Sequence, residues 1–238
     1  RAFGLRLFLV GVNLTVAILL ARLLGPAGYG TYVFALSVMA IVALPGQAGV
    51  PLVMLREVAF RVADRDWRGA RGVFTRLRRM VLGYGTLAGA GLVGVVLLSG
   101  LFDGEERRAL LWAGALLPAF VVLPTIGAGL RGLDHLALGQ GVETLLRPLV
   151  LLLLLGAVAG VGVGPDAGQA MALHALGASL GAGAAMGLQR RMMPPRTLAG
   201  APPPCHLSLL RSIAPFTLIA GVQLVLAKTD ILMLRALL

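Results

Sequence analysis

Residues 142–163 read VETLLRPLVLLLLLGAVAGVGV, and no charged residue follows Pro148 in this stretch. About 20 mainly apolar residues in helical form cross about 30 Å of hydrocarbon, so this run has the length and composition of a transmembrane helix. Its only charges, Glu143 and Arg147, lie close to its start. Working outward, six further stretches of the same kind are set apart by charges or by Pro/Gly punctuation: Phe3 to Leu24, Tyr29 to Leu55, Met80 to Leu101, Ala109 to Leu130, Ala167 to Leu188, and Ile213 to Leu234. Composition agrees, since 58% hydrophobic residues, 13% charged residues and a mean hydropathy of +0.90 lie far from the globular norm. The expected fold is all-α, a polytopic transmembrane helical bundle.

A formal charge of +11 would point to nucleic acid in a soluble protein, but here the basic residues fall in the loops between spans. With the N-terminus in the cytoplasm, the inner segments hold Arg1, Arg6, the eight arginines from Arg56 to Arg79, Arg131, Arg190, Arg191, Arg196 and Arg211, fifteen in all. The outer side keeps Arg22, Arg107, Arg108 and Arg235, set against Asp103, Glu105, Glu106 and Asp166. The excess of inner arginines sets the orientation and predicts a multi-pass protein of the cell (inner) membrane, whose basic loops meet lipid headgroups and not nucleic acid. The longest inner segment, Arg56 to Arg79, mixes arginines with Val58, Phe60, Trp67 and Phe74 and reads as an interfacial helix, with Asp66 capping the helix that enters the third span. It serves either as an orientation signal that also holds headgroups or as a recognition surface for an anionic cytoplasmic substrate.

Pro194, Pro195, Pro202, Pro203 and Pro204 crowd the segment between the sixth and seventh spans, a composition suited to a linker. The chain therefore divides into a six-helix unit at 1–189, a cytoplasmic linker at 190–212 and a further helix at 213–238. Glycines recur in the third, fifth and sixth spans (Gly83, Gly85, Gly89, Gly91; Gly156, Gly160; Gly177, Gly181), where they permit close helix approach. The single Cys205 allows no internal disulfide, and with only His206 beside it no metal site or cofactor is expected. The first apolar stretch has no small-residue cleavage site, so a removable signal peptide is not expected.

The run Ala21-Arg22-Leu23-Leu24-Gly25-Pro26-Ala27-Gly28-Tyr29-Gly30, followed by Tyr32, resembles the first extracytoplasmic turn of oligosaccharide flippases in the multidrug/oligosaccharidyl-lipid/polysaccharide exporter superfamily. Further similarities follow in order along the chain: Gly49-Val50-Pro51 with Arg56-Glu57-Val58-Ala59, Leu130-Arg131-Gly132-Leu133, Leu146-Arg147-Pro148-Leu149, and Lys228-Thr229-Asp230-Ile231-Leu232. The resemblance implies two six-helix lobes around a central cavity, which translocate a lipid-linked oligosaccharide (a polyprenyl-pyrophosphate glycan) by alternating access for cell-surface polysaccharide such as O-antigen. On that basis the chain is expected to carry the N-terminal lobe and the first helix of a truncated second lobe. Gly11-Val12-Asn13-Leu14 echoes Gly221-Val222-Gln223-Leu224 at the two helices that would be equivalent.

Ionisable groups inside a span are expensive and either face a bundle interior or reach an interface. Glu143 and Arg147 stand at i, i+4 in the order that favours an ion pair on one helix face. Arg147 therefore reads either as paired or snorkelling, or as a ligand for the pyrophosphate that the resemblance implies, since a guanidinium forks onto phosphate in a low-dielectric cavity. Arg6 and Arg22 on the first span are candidates for the same path or anchors at the two interfaces. Asn13, mid-span, either lines the cavity or bonds a neighbouring helix. Asp230 with Lys228 either anchors the seventh span or binds a coupling ion, a proton or sodium.

Three rival functions are open, one of them a non-transporting membrane scaffold, against which the charged in-span residues argue. A cation-coupled multidrug exporter of the same superfamily would want an acidic cavity, whereas Arg147 makes this one basic. A membrane-embedded glycan polymerase or ligase would want a large outer loop, but Gly25 to Gly28, Phe102 to Arg108 and Gly164 to Asp166 are short. No paired carboxylates and no Ser/His/Asp set stand out, and His135, His174 and His206 are scattered, so the reading is a transporter and not an enzyme.

Overall fold

The computed structural model describes the backbone of residues 2–47, 49–160 and 165–193, with side chains from residue 8 onward except 9 and 159. Among these residues the chain is all-α: α1 (Ala2–Gln47), α2 (Val50–Ala63), α3 (Trp67–Ser99), α4 (Gly104–Gly132), α5 (Leu136–Thr144), α6 (Leu146–Gly160) and α7 (Ala167–Met192). Among the described residues four helical stretches are long and apolar enough to cross a membrane: Val10–Ala63, Trp67–Ser99, Gly104–Gly132 and Ala167–Met192. A fifth arises if the bent pair α5 and α6 is one span. Large apolar side chains such as Leu87 (77% exposed), Leu98 (90%) and Leu153 (73%) lie on the outside of the helices. So much outward apolar surface, on helices of spanning length, marks a membrane protein.

The long helix α1 is not one rod. Gly25 adopts φ 68, ψ 177, a region essentially closed to residues with a Cβ, and Pro26 follows it. Residues on both sides of this break, from Asn13 to Leu20 and from Tyr29 to Leu36, line one cavity of about 180 Å³. In a straight helix, at about 1.5 Å per residue, Asn13 and Leu36 would lie about 34 Å apart, so the chain folds back at Gly25. This is the turn that the sequence placed at Gly25 to Gly28.

Helix α4 is the central post, with α3 and α7 packed along it and α1, α2 and α5 completing its surroundings. Small residues make this possible. A Cβ on Gly85 would come within 2.8 Å of the Pro118 backbone, one on Gly114 within 2.7 Å of Val93, and one on Gly127 within 2.6 Å of the Gly139 carbonyl oxygen. Between lipid-immersed helices such close contact replaces the hydrophobic effect as the source of attraction. Of the glycines expected at helix contacts, Gly85, Gly89, Gly177 and Gly181 are there, whereas Gly83, Gly91, Gly156 and Gly160 face open space.

Several boundaries differ from the sequence reading. The second span, placed at Tyr29 to Leu55, is interrupted before Val50, where Pro51 opens α2. The segment Arg56 to Arg79 is not a separate interfacial helix. It forms the end of α2, a turn with Arg65 left-handed at φ 57, and the start of α3, so the two helices make a hairpin whose Val58 packs against Gly132 of α4. Asp66 caps α3 as expected, accepting from Gly69 N at 2.9 Å, while Arg61 bonds its other carboxylate oxygen at 3.1 Å. Helix α7 begins on a capping box between Asp166 and Gln169 and runs to Met192, so Arg190 and Arg191 belong to it and not to the linker. The remainder of the linker and the seventh span lie outside the described residues.

Candidate functional site

The span quoted at the outset is broken. Pro148 has no N–H to offer the carbonyl of Thr144, four residues back, and its ring crowds that carbonyl. Helix α5 accordingly ends at Thr144, α6 begins at Leu146, and the two are bent by 45°. The bend overturns the ion pair read from the i, i+4 spacing. Glu143 on α5 turns to Arg131 on α4, Oε2 to Nη2 at 2.7 Å, and Arg147 on α6 turns elsewhere. Among the described residues no carboxylate lies within ion-pair distance of Arg147.

Arg147 instead lies over the ring of Phe120 on α4, its guanidinium carbon 4.5 Å from the ring centroid. Such a cation–π contact contributes about 0.5–2 kcal/mol and uses no N–H group of the guanidinium as a donor to a carboxylate. The side chain faces the cavity formed by both halves of α1 with α6 and α7. Most of the wall is apolar, including Val16, Leu20, Val33, Leu36 and Leu151. A charge held within such walls is poorly screened and attracts an anion more strongly than it would in water.

Beside it lies a polar pair that joins α1 to α7. Tyr32 (3% exposed) and His174 (4% exposed) have Oη and Nδ1 2.7 Å apart, and their rings stack at 6.2 Å with an interplanar angle of 23°. With the phenol as donor, Nδ1 accepts and the ring proton sits on Nε2, which has no hydrogen-bond partner among the described residues. Asn13 and Tyr29 complete the polar lining. The volume exceeds by far the roughly 10–15 Å³ that admits one water, so the cavity can hold several waters or a small anionic group.

Of the residues singled out from sequence, Arg147 and Asn13 come together in this cavity. Glu143 is excluded from its lining by the pair with Arg131, and Arg22 is exposed on α1 near the Gly25 turn. Arg6 falls on α1 with its side chain outside the described set, and Lys228 and Asp230 lie outside the described residues. Sequence reading missed His174 and Phe120, and it noted Tyr32 only as part of a motif. His174 carried a usable signal: a titratable residue in the middle of the Ala/Gly/Leu-rich helix α7, subject to the same in-span rule that selected Arg147. Phe120 carried none, being one apolar residue among many on α4.

Comparison with protein-family models, with curated proteins and with solved structures finds no match for this chain.

Proposed function

We propose that this chain forms one lobe of a membrane transporter that translocates a lipid-linked oligosaccharide by alternating access, with Arg147 as a ligand for its phosphate or pyrophosphate. The observation that carries this reading is the placement of Arg147: over the Phe120 ring, turned into an apolar-walled cavity, and away from every described carboxylate. An anion is the ligand such a group favours. Among the described residues the cavity wall includes no Asp or Glu, which favours an anionic cargo over the cationic drug of the rival exporter reading. The fold-back at Gly25 supports the six-helix lobe. On this reading Val10–Ala63 crosses twice, and its two passes with α3, α4, the bent α5–α6 pair and α7 reach the six that such a lobe requires.

The test is Arg147→Ala in the natural full-length protein. Surface glycan should fall to the level of a deletion strain while the protein stays at its normal abundance in the membrane, and Arg147→Lys should restore part of it, since charge is kept but the fork is lost. Normal glycan with Arg147→Ala would remove this residue, and with it the main support for the reading.

A further inference from the structure

At the end of the bundle opposite the Gly25 turn, α3 and α7 are stitched together by a hydrogen bond from Arg78 Nη1 to Gln189 Oε1 at 2.8 Å, and Gln189 is buried (5% exposed). Arg79, Arg190 and Arg191, each within two residues of this bonded pair and all exposed, stand at the same end of α3 and α7 as Arg78. Among the described residues none of the four has a carboxylate within ion-pair distance. Nor does the following chain supply one nearby in sequence: after Asp166 the next acidic residue is Asp230, while the linker adds Arg196 and Arg211. The negative end of the α7 helix dipole faces Arg190 and Arg191 but amounts to only about half a charge. Among the described residues these arginines therefore present an uncompensated positive charge that suits an external anion.

Each helix also carries an exposed apolar face leading away from these arginines. On α3, Arg79, Gly83 and Leu87 succeed one another at four-residue steps, and on α7 Arg190 is preceded by Gly187, Gly183 and Leu180 at three- and four-residue steps, all exposed. A Cβ at Gly83, Gly183 or Gly187 would meet nothing within 4 Å, so these faces are shallow and open. Charge at the headgroup level above an apolar face describes a phospholipid, not a soluble polyanion.

We propose that the corner formed by Arg78, Arg79, Arg190 and Arg191 binds an anionic phospholipid whose headgroup carries two phosphates, with its acyl chains along the open glycine faces of α3 and α7. Four guanidiniums spread over two helices match two phosphates better than one. The site shares no residue with the Arg147 cavity and is independent of the transport reading.

The experiment titrates the detergent-purified chain with diphosphatidylglycerol, phosphatidylglycerol and phosphatidylcholine and counts bound lipid by native mass spectrometry. The order of affinity should follow the net negative charge of the headgroup, diphosphatidylglycerol before phosphatidylglycerol before the zwitterionic phosphatidylcholine. Each of Arg79→Gln, Arg190→Gln and Arg191→Gln should weaken diphosphatidylglycerol about fivefold, and the three together about a hundredfold, while Arg107→Gln at the other end changes nothing. Gly187→Leu, which has room for its side chain, should weaken the lipid but leave any binding of inorganic pyrophosphate unaltered. The proposal is overturned if wild-type protein binds the three lipids equally, if the triple variant keeps wild-type affinity, or if inorganic pyrophosphate displaces the bound lipid as effectively as free lipid does. The selectivity arm uses unmodified protein and so remains decisive even if a variant folds poorly.

Discussion

Replacing Glu143 by Gln keeps the shape of a side chain packed beside Gly127 but removes the charge that faces Arg131 at 2.7 Å. Unit charges at that distance attract by about 6 kcal/mol at an effective dielectric of about 20. Arg131 and Glu143 are 28% and 27% exposed, so screening and lost hydration remove most of this. The net coupling should fall at about 1–2 kcal/mol, between an exposed pair (below about 1) and a buried pair broken on one side (about 3–5). A double-mutant cycle isolates it. Unfolding free energies from denaturant titration in mixed micelles are compared for Glu143→Gln, Arg131→Gln and both together, and the same is done for Glu143→Gln with Arg147→Gln. The first cycle should return the 1–2 kcal/mol coupling and the second less than about 0.5 kcal/mol. A larger coupling in the second cycle would restore the i, i+4 pair and refute the bend at Pro148 as the cause of re-pairing.

Tyr32→Phe removes a buried hydrogen bond and leaves His174 Nδ1 without a partner, so it should destabilise by about 1–3 kcal/mol in the same titration. Adding His174→Leu should recover part of that loss, because two apolar groups leave nothing unsatisfied. Gly25→Ala forces a Cβ into a backbone region reserved for glycine and should cost about 1–3 kcal/mol, read as a lowered melting temperature in detergent. Gly89→Ala pushes a methyl group against the Gly114 carbonyl of α4 and should cost about 1–3 kcal/mol, whereas Gly91→Ala, with open space, should be neutral or stabilising by up to about 1 kcal/mol; equal effects would contradict the α3–α4 contact.

Much of the architecture was legible because lipid imposes a one-dimensional rule. A backbone in hydrocarbon must bond to itself, so long apolar runs have to be helices, and their extent can be read by counting residues. The start of α7 follows from Asp166 and the end of α4 from Arg131, whereas α4 begins at Gly104, ahead of the expected Ala109, and α7 runs past Arg190 to Met192. The Gly25-Pro26 turn and the Asp66 cap are local chemistry and were equally readable.

What the sequence alone determined is the class of element at each position and the presence of a costly charge, Arg147, within an apolar run. Only the tertiary structure decided where that charge points. Spacing counts neighbours along one helix, and a 45° bend at Pro148 makes Glu143 and Arg147 members of two helices with different partners, Arg131 and Phe120. The same holds for Tyr32 and His174, which are 142 residues apart in sequence and meet through a hydrogen bond of 2.7 Å. Such a contact depends on which faces α1 and α7 present once packed around α4, and that choice is made by glycine contacts and shape, quantities that no residue carries by itself.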